Sequence, residues 1–136
     1  MSAVAVELDG VLGDTRPLWE AWLADVSRRA QVDPARLDDE LPNWRSLLER
    51  FAEDHAPVYF RPRAAATAAL RRLQADGVRI GVFTEAPAEL AQIAVAHLGA
   101  ARRIVALAAG PGSLERLLAR LGPDARVART VSELDS

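Results

Sequence analysis

Four short apolar runs, separated by segments of helical periodicity, constrain this chain more than any other feature. Residues 3–8, AVAVEL, run into turn chemistry at Asp9-Gly10 and predict a buried strand. Residues 78–84, VRIGVFT, predict a second strand, residues 103–107 a third and residues 125–128 a fourth. A helix is expected to open at Pro17, with Thr15 or Arg16 near its cap and Trp19, Trp22, Leu23 and Val26 on one apolar face. Asp33-Pro34 starts a second helical region, in which Trp44, Leu47, Leu48 and Phe51 form another stripe. Ala56-Pro57 and Arg61-Pro62 read as the punctuation that ends this helical insert. Further helices are expected over residues 63–75, 87–98 and 113–121, stopped by Gly77, Gly99 and Gly122, with a last turn over 131–134.

Strands alternating with helices predict an α/β fold: a three-layer, Rossmann-like parallel sheet with helices on both faces. A length of 136 residues allows one such unit. Residues 1–15 and 59–136 are assigned to its α/β core, and residues 16–58 to a small α-helical cap insertion. In such a sheet ligands bind beyond the carboxyl ends of the strands, near a topological switch point. That rule gathers Glu7, Asp9, Thr84, Glu85, Gly110 and the residues after Val127 around one crevice.

Composition narrows the chemistry. The chain has no cysteine, which excludes disulfides, thiolate nucleophiles and cysteine-based zinc sites. A formal charge of −2 and isolated arginine pairs, such as Arg28-Arg29 and Arg102-Arg103, give no surface for nucleic acid. The first apolar run is broken by Glu7 and Asp9, and no run reaches the ~20 residues that span a bilayer. A cytoplasmic protein, with no membrane or nucleic-acid partner, is expected. His55 and His97 fall near helix ends and are read as packing residues. The glycine-containing AAGPG, residues 108–112, lacks the Lys-Ser or Lys-Thr that a nucleotide loop requires.

The order and spacing of three segments resemble the haloacid dehalogenase-like hydrolases, a superfamily of mostly magnesium-dependent phosphatases. VELDGVLGDT is similar to the first motif, D-x-D-G-T-L-x-D-[ST]. IGVFTEAP is similar to the second, and FRPRAAATAALRRLQADG to the approach between them. The resemblance implies that the acid at position 7 attacks phosphorus. Asp9 would act as general acid and base. Thr84, with Glu85 beside it, would meet the phosphate. It also implies a lysine near Gly110 and a metal-binding acid at Arg129.

Several of those positions carry the wrong residue. Glu7 is one methylene longer than aspartate, which moves its carboxylate by roughly 1.5 Å, and misplacement of about 1 Å can cost a hundredfold. No lysine exists anywhere in the chain; Gly110 stands at the lysine position, and Arg102 and Arg103 are the nearest cations in sequence. Arg129 opposes magnesium, which prefers carboxylate oxygens. The resulting expectation is a catalytically degenerate phosphatase fold that keeps a phosphate or ligand pocket and needs no cofactor. In it Arg129 either pairs with Glu7 or Asp9 or points to solvent. Two alternatives stand beside it. One is an active Mg²⁺-dependent phosphatase acting on a small phosphomonoester, its metal held by Glu7, Asp9 and Glu133 or Asp135. The other is a protein-interaction module, in which the open sheet edge expected near Ser136, or the tryptophan-bearing helices, meets a partner protein or a second copy. A cap this short would leave the pocket open.

Overall fold

The structure, a computed structural model, describes residues 2–135. Strands β1 (Ala3–Glu7), β2 (Arg79–Thr84), β3 (Ala106–Ala109) and β4 (Ala125–Ala128) form one parallel sheet in the order β3-β2-β1-β4. After β1 the chain makes one wide turn over Leu8–Leu12, closed by the Gly13 N–H donating to the Leu8 carbonyl at 3.1 Å. Gly10 takes φ +101 there, a conformation that favours glycine and fits the Asp-Gly turn signal. The helices are α1 (Arg16–Ala30), α2 (Leu37–Glu40), α3 (Trp44–Tyr59), α4 (Ala64–Ala75), α5 (Ala88–His97), α6 (Ser113–Leu121) and α7 (Val131–Asp135).

Alternation along the strands divides the core in two. Val4, Val6, Ile80 and Val82 join the buried faces of α1, α3, α4 and α5 in one apolar cluster. Ala3, Ala5, Phe83, Ala106 and Ala108 face the other way, against Leu117 and Leu121 of α6. The expected three-layer α/β architecture is therefore present. Small residues on the second face let α6 lie close to the sheet. A Cβ on Gly81 falls 2.6 Å from Leu117 Cδ1, in a buried layer with no room to give. Gly81→Ala is expected to cost about 1–2 kcal/mol by overpacking, read as a lower denaturant midpoint at unchanged slope.

Two expectations need correction. The third strand covers Ala106–Ala109 rather than residues 103–107. Its register on β2, Gly81 with Ala106 through Thr84 with Ala109, matches alanines to the tight layer under α6. Meanwhile Arg103 closes a turn on Ala100, and the strand-forming Val105 is left 57% exposed. Pro57 also does not end the helical insert: α3 continues through it to Tyr59. The proline lies on an exposed face in the last turn, where water can take the carbonyl bond it cannot make.

Trp19, Trp22 and Trp44 pack on one another, with ring centroids 5.4 to 6.0 Å apart. Trp22 and Trp44 are buried and unavailable to a docking partner; Trp19 is half-buried. Arg45 links α3 to α5 through Glu89 at 3.0 Å while lying over the Trp44 ring.

Candidate functional site

β1 is the strand at which the sheet reverses its order, with β2 on one side and β4 on the other. A crevice of about 710 Å³ opens beyond the carboxyl ends of these strands. It brings together Glu7, Asp9, Thr84, Glu85 and Arg129. Gly112 and Ser113 reach it from the start of α6. Gly110 sits just behind, its N–H spent on the carbonyls of Thr84 and Ala86.

Arg129 is the next residue after the Val6–Ala128 pair in the parallel register, so it arrives beside Glu7. Its guanidinium donates to Glu7 Oε2 at 2.7 Å and lies 5.4 Å from the centre of the Phe83 ring. Its backbone N–H donates to Glu133 Oε1 at 3.0 Å. Of the alternatives for Arg129, pairing with Glu7 is the one realised. Both side chains touch solvent, so the pair contributes on the order of 1 kcal/mol or less. Its greater consequence is positional, because a fixed cation stands beside the acid at position 7.

Both oxygens of Asp9 are engaged within the chain. Oδ1 accepts the Thr15 N–H and the Thr15 hydroxyl, each at 2.7 Å, and Oδ2 accepts the Thr84 hydroxyl at 2.7 Å. One carboxylate thus ties the end of β1 to the start of α1 and the end of β2. Thr84 in turn accepts the Ala86 N–H at 3.2 Å. The Thr15 and Thr84 hydroxyls and the Ala86 N–H, donors that could meet a phosphate at this strand end, already have partners within the chain. Thr15 was visible in the sequence as the residue closing GDT, but nothing there showed that it would bind Asp9 twice. Arg63, missed in the sequence, donates to the Gly10 carbonyl at 3.1 Å and braces the turn that carries Asp9.

Asp14 acts at the helix entry, accepting the Arg16 N–H at 3.0 Å. The Arg16 side chain adds hydrogen bonds at 2.9 Å. The Asp14 carboxyl is held below its ordinary value of 3.8, first by this side-chain bond, with partial burial opposing and the Arg16 backbone bond assisting. A carboxyl depressed on folding contributes stability above its unfolded value and loses it as pH falls through the lower folded value. Between about pH 5 and about pH 3, wild type is therefore expected to lose more stability than Asp14→Asn. The difference should stay under about 1 kcal/mol because the pair faces water. Denaturant midpoints at the two pH values check it.

The acids offered by the C-terminal turn do not reach the crevice. Glu133 caps the start of α7 by accepting the Arg129 N–H, while Thr130 accepts the Glu133 N–H at 3.0 Å. Asp135 pairs with Arg72 of α4. Among the described residues, no group of three or more Asp, Glu, His or Cys is placed to hold a metal ion. The residues present do not fit magnesium: Glu7 is paired with a guanidinium, both Asp9 oxygens already accept hydrogen bonds, and among the described residues no further acid is grouped with these two as a ligand set. Nor do Arg102 and Arg103 supply the missing lysine. Arg103 donates to Gln74 at 2.9 Å, away from the crevice. Arg116, nearer in space to Gly110, spends its guanidinium on the carbonyls of Ala109 and Pro111.

The strand order and the site at its switch point can be set beside solved structures. The chain is similar to a protein of Thermotoga maritima provisionally described as a β-phosphoglucomutase, with a TM-score of 0.58 and 21% identity over 93% of this chain and 75% of that one. It is also similar to the L-2-haloacid dehalogenase of Xanthobacter autotrophicus, solved with chloropropionic acid covalently bound. There the TM-score is 0.50 and the identity 15%, over 93% of this chain and 69% of that one. The chain has the haloacid dehalogenase-like fold. No family profile matches the sequence, and comparison with curated proteins finds no match. Within the haloacid dehalogenase-like fold, Glu7 and Asp9 occupy the turn after the central strand, Thr84 the end of its neighbour, and Arg129 the end of β4. No helix among the described residues is long and apolar enough to cross a membrane.

Proposed function

We propose that this protein is a non-hydrolytic member of its fold, a ligand-binding protein built on a phosphatase-like frame. The Arg129–Glu7 contact carries the reading. A guanidinium at that place gives the positive charge that a divalent ion would supply, and it does so without open coordination positions for water or substrate. Attack by Glu7 on phosphorus would also require its carboxylate to leave Arg129. Both oxygens of the second acid accept hydrogen bonds from within the chain, which holds it as an acceptor rather than as a donor to a leaving group. The division into a core, residues 1–15 and 59–136, and a helical insert, residues 16–58, belongs to the same proposal. On it, the insert borders the crevice through Arg16 and Trp19.

The test is turnover of a generic phosphomonoester with and without magnesium, on wild type and on Glu7→Asp. Neither protein is expected to release phosphate above the blank, because shortening the acid restores neither the lysine nor the metal acid. Rescue by Glu7→Asp alone would mean that the changes at Gly110 and Arg129 are harmless, and the proposal would fall.

A further inference from the structure

The parallel ladder between β1 and β4 ends at the pair Val6–Ala128, so Arg129 lies one residue past the last position that the sheet fixes. An arginine just beyond a strand end, with its side chain 52% exposed, has many rotamers open to it and gives up that freedom when it pairs. Two acids are within its reach, Glu7 across the sheet and Glu133 four residues on, and the cap of α7 sorts them. Glu133 spends Oε1 on the Arg129 backbone N–H at 3.0 Å, while the guanidinium goes to Glu7 at 2.7 Å. Thr130 completes the cap by accepting the Glu133 N–H at 3.0 Å, so the side chains and backbone of residues 129–133 brace one another. A five-residue helix does not hold itself together in water. The surroundings hold α7 instead: Leu134 is fully buried in the main core, and Asp135 pairs with Arg72 of α4. Arg126 adds bonds to the carbonyls of Glu133 at 2.6 Å and Leu134 at 3.2 Å.

We propose that Glu133 is a positioning residue: through the cap of α7 it fixes the backbone of Arg129 so that the guanidinium lies on Glu7, and loss of the cap releases that cation. The inference rests on the non-hydrolytic reading, in which Arg129 stands in for a divalent ion, and names what keeps it there. The Phe83 ring, 5.4 Å from the guanidinium, flanks it but offers no acceptor to hold it in one direction. The charged pair at the switch point therefore depends on a helix that does not itself line the crevice. Undocking α7 would free Arg129 and Glu7 together.

Nuclear magnetic resonance relaxation of the arginine Nε–H groups tests this on the full chain, with the Arg129 signal identified by its loss in Arg129→Gln. In wild type its order parameter is expected near the rigid range, about 0.8, and in Glu133→Ala below about 0.6. Thr130→Val, which removes the other half of the cap, should lower it as well. Glu133→Gln keeps an oxygen for the Arg129 N–H and should stay with wild type. Arg45, paired with Glu89 elsewhere on the surface, should not change in any variant, which separates positioning from general loosening. Glu133 and Thr130 are exposed, so the variants should fold, and their dispersed amide spectra confirm it. An Arg129 signal as rigid in both Glu133→Ala and Thr130→Val as in wild type would overturn the proposal. So would an equal fall in Glu133→Gln or a parallel fall at Arg45. An Arg129 side chain already mobile in wild type is a distinct result: it would overturn the pairing with Glu7, and with it the non-hydrolytic reading.

Discussion

Asp9→Ala is expected to lower the stability of the protein by about 3 kcal/mol, far more than loss of a solvent-facing catalytic acid would cost. The carboxylate accepts from the Thr15 amide, the Thr15 hydroxyl and the Thr84 hydroxyl, all at 2.7 Å. Thr15 and Thr84 are almost fully buried, so truncation leaves three donors with little compensating water. Hydrogen bonds to a charged group are worth more than neutral ones, and an orphaned buried donor costs its full desolvation. Asp9→Asn should be milder, at about 1 kcal/mol. The amide keeps one acceptor for Thr15, and the Thr84 hydroxyl can turn to accept from the new NH₂ group. Urea denaturation of the three proteins gives the ordering directly. Equal stability of wild type and Asp9→Ala would show that Asp9 is not a structural tie, returning it to the role of a free proton donor.

The second large effect is a gain. Exchanging Arg129 for aspartate together with Glu7→Asp is expected to create affinity for magnesium or manganese, on the order of a hundredfold above wild type. The exchange at position 129 changes the local charge by two units next to a divalent ion. At a separation of about 6 Å in a water-exposed site, that amounts to roughly 3 kcal/mol. It also releases the acid at position 7 from its guanidinium and places a third carboxylate at the end of β4. Hard divalent ions require such a set of oxygens. Calorimetric titration with manganese reads the change. An unaltered affinity would mean that the strand ends are not spaced to hold an ion in this chain, with any charge. Tight binding by wild type, with Arg129 intact, would remove the basis of the proposed function.

Much of this was legible in the residues. The apolar runs ending in turn residues located β1, β2 and β4, and the helix-forming LERLLARL bounded by glycines located α6. The switch-point rule then gathered the acids at 7 and 9, the hydroxyl at 84 and the arginine at 129 before any side chain was placed. The third strand escaped because propensity favoured Ile104 and Val105, whereas the register on Gly81 and the closeness of α6 selected the alanines that follow. Pro57 escaped because a proline in an exposed last turn loses one carbonyl bond to water, which a local rule scores as a break. At the site, residue types showed which charges were present and could not show how they paired. Arg129 could have met Glu7, Asp9 or solvent, and only the register of β4 on β1 decides it. Glu133 looked available as a ligand until the α7 cap claimed it.

The central claim is that a guanidinium holds the place where this kind of site would hold a divalent ion. Crystals soaked with magnesium and a phosphate mimic put the two in direct competition. Electron density for the Arg129 side chain on the Glu7 carboxylate, and no ion between residues 7 and 9, is the expected result. A magnesium ion bridging Glu7 and Asp9, with Arg129 swung away and the mimic seated on Thr84, would contradict it.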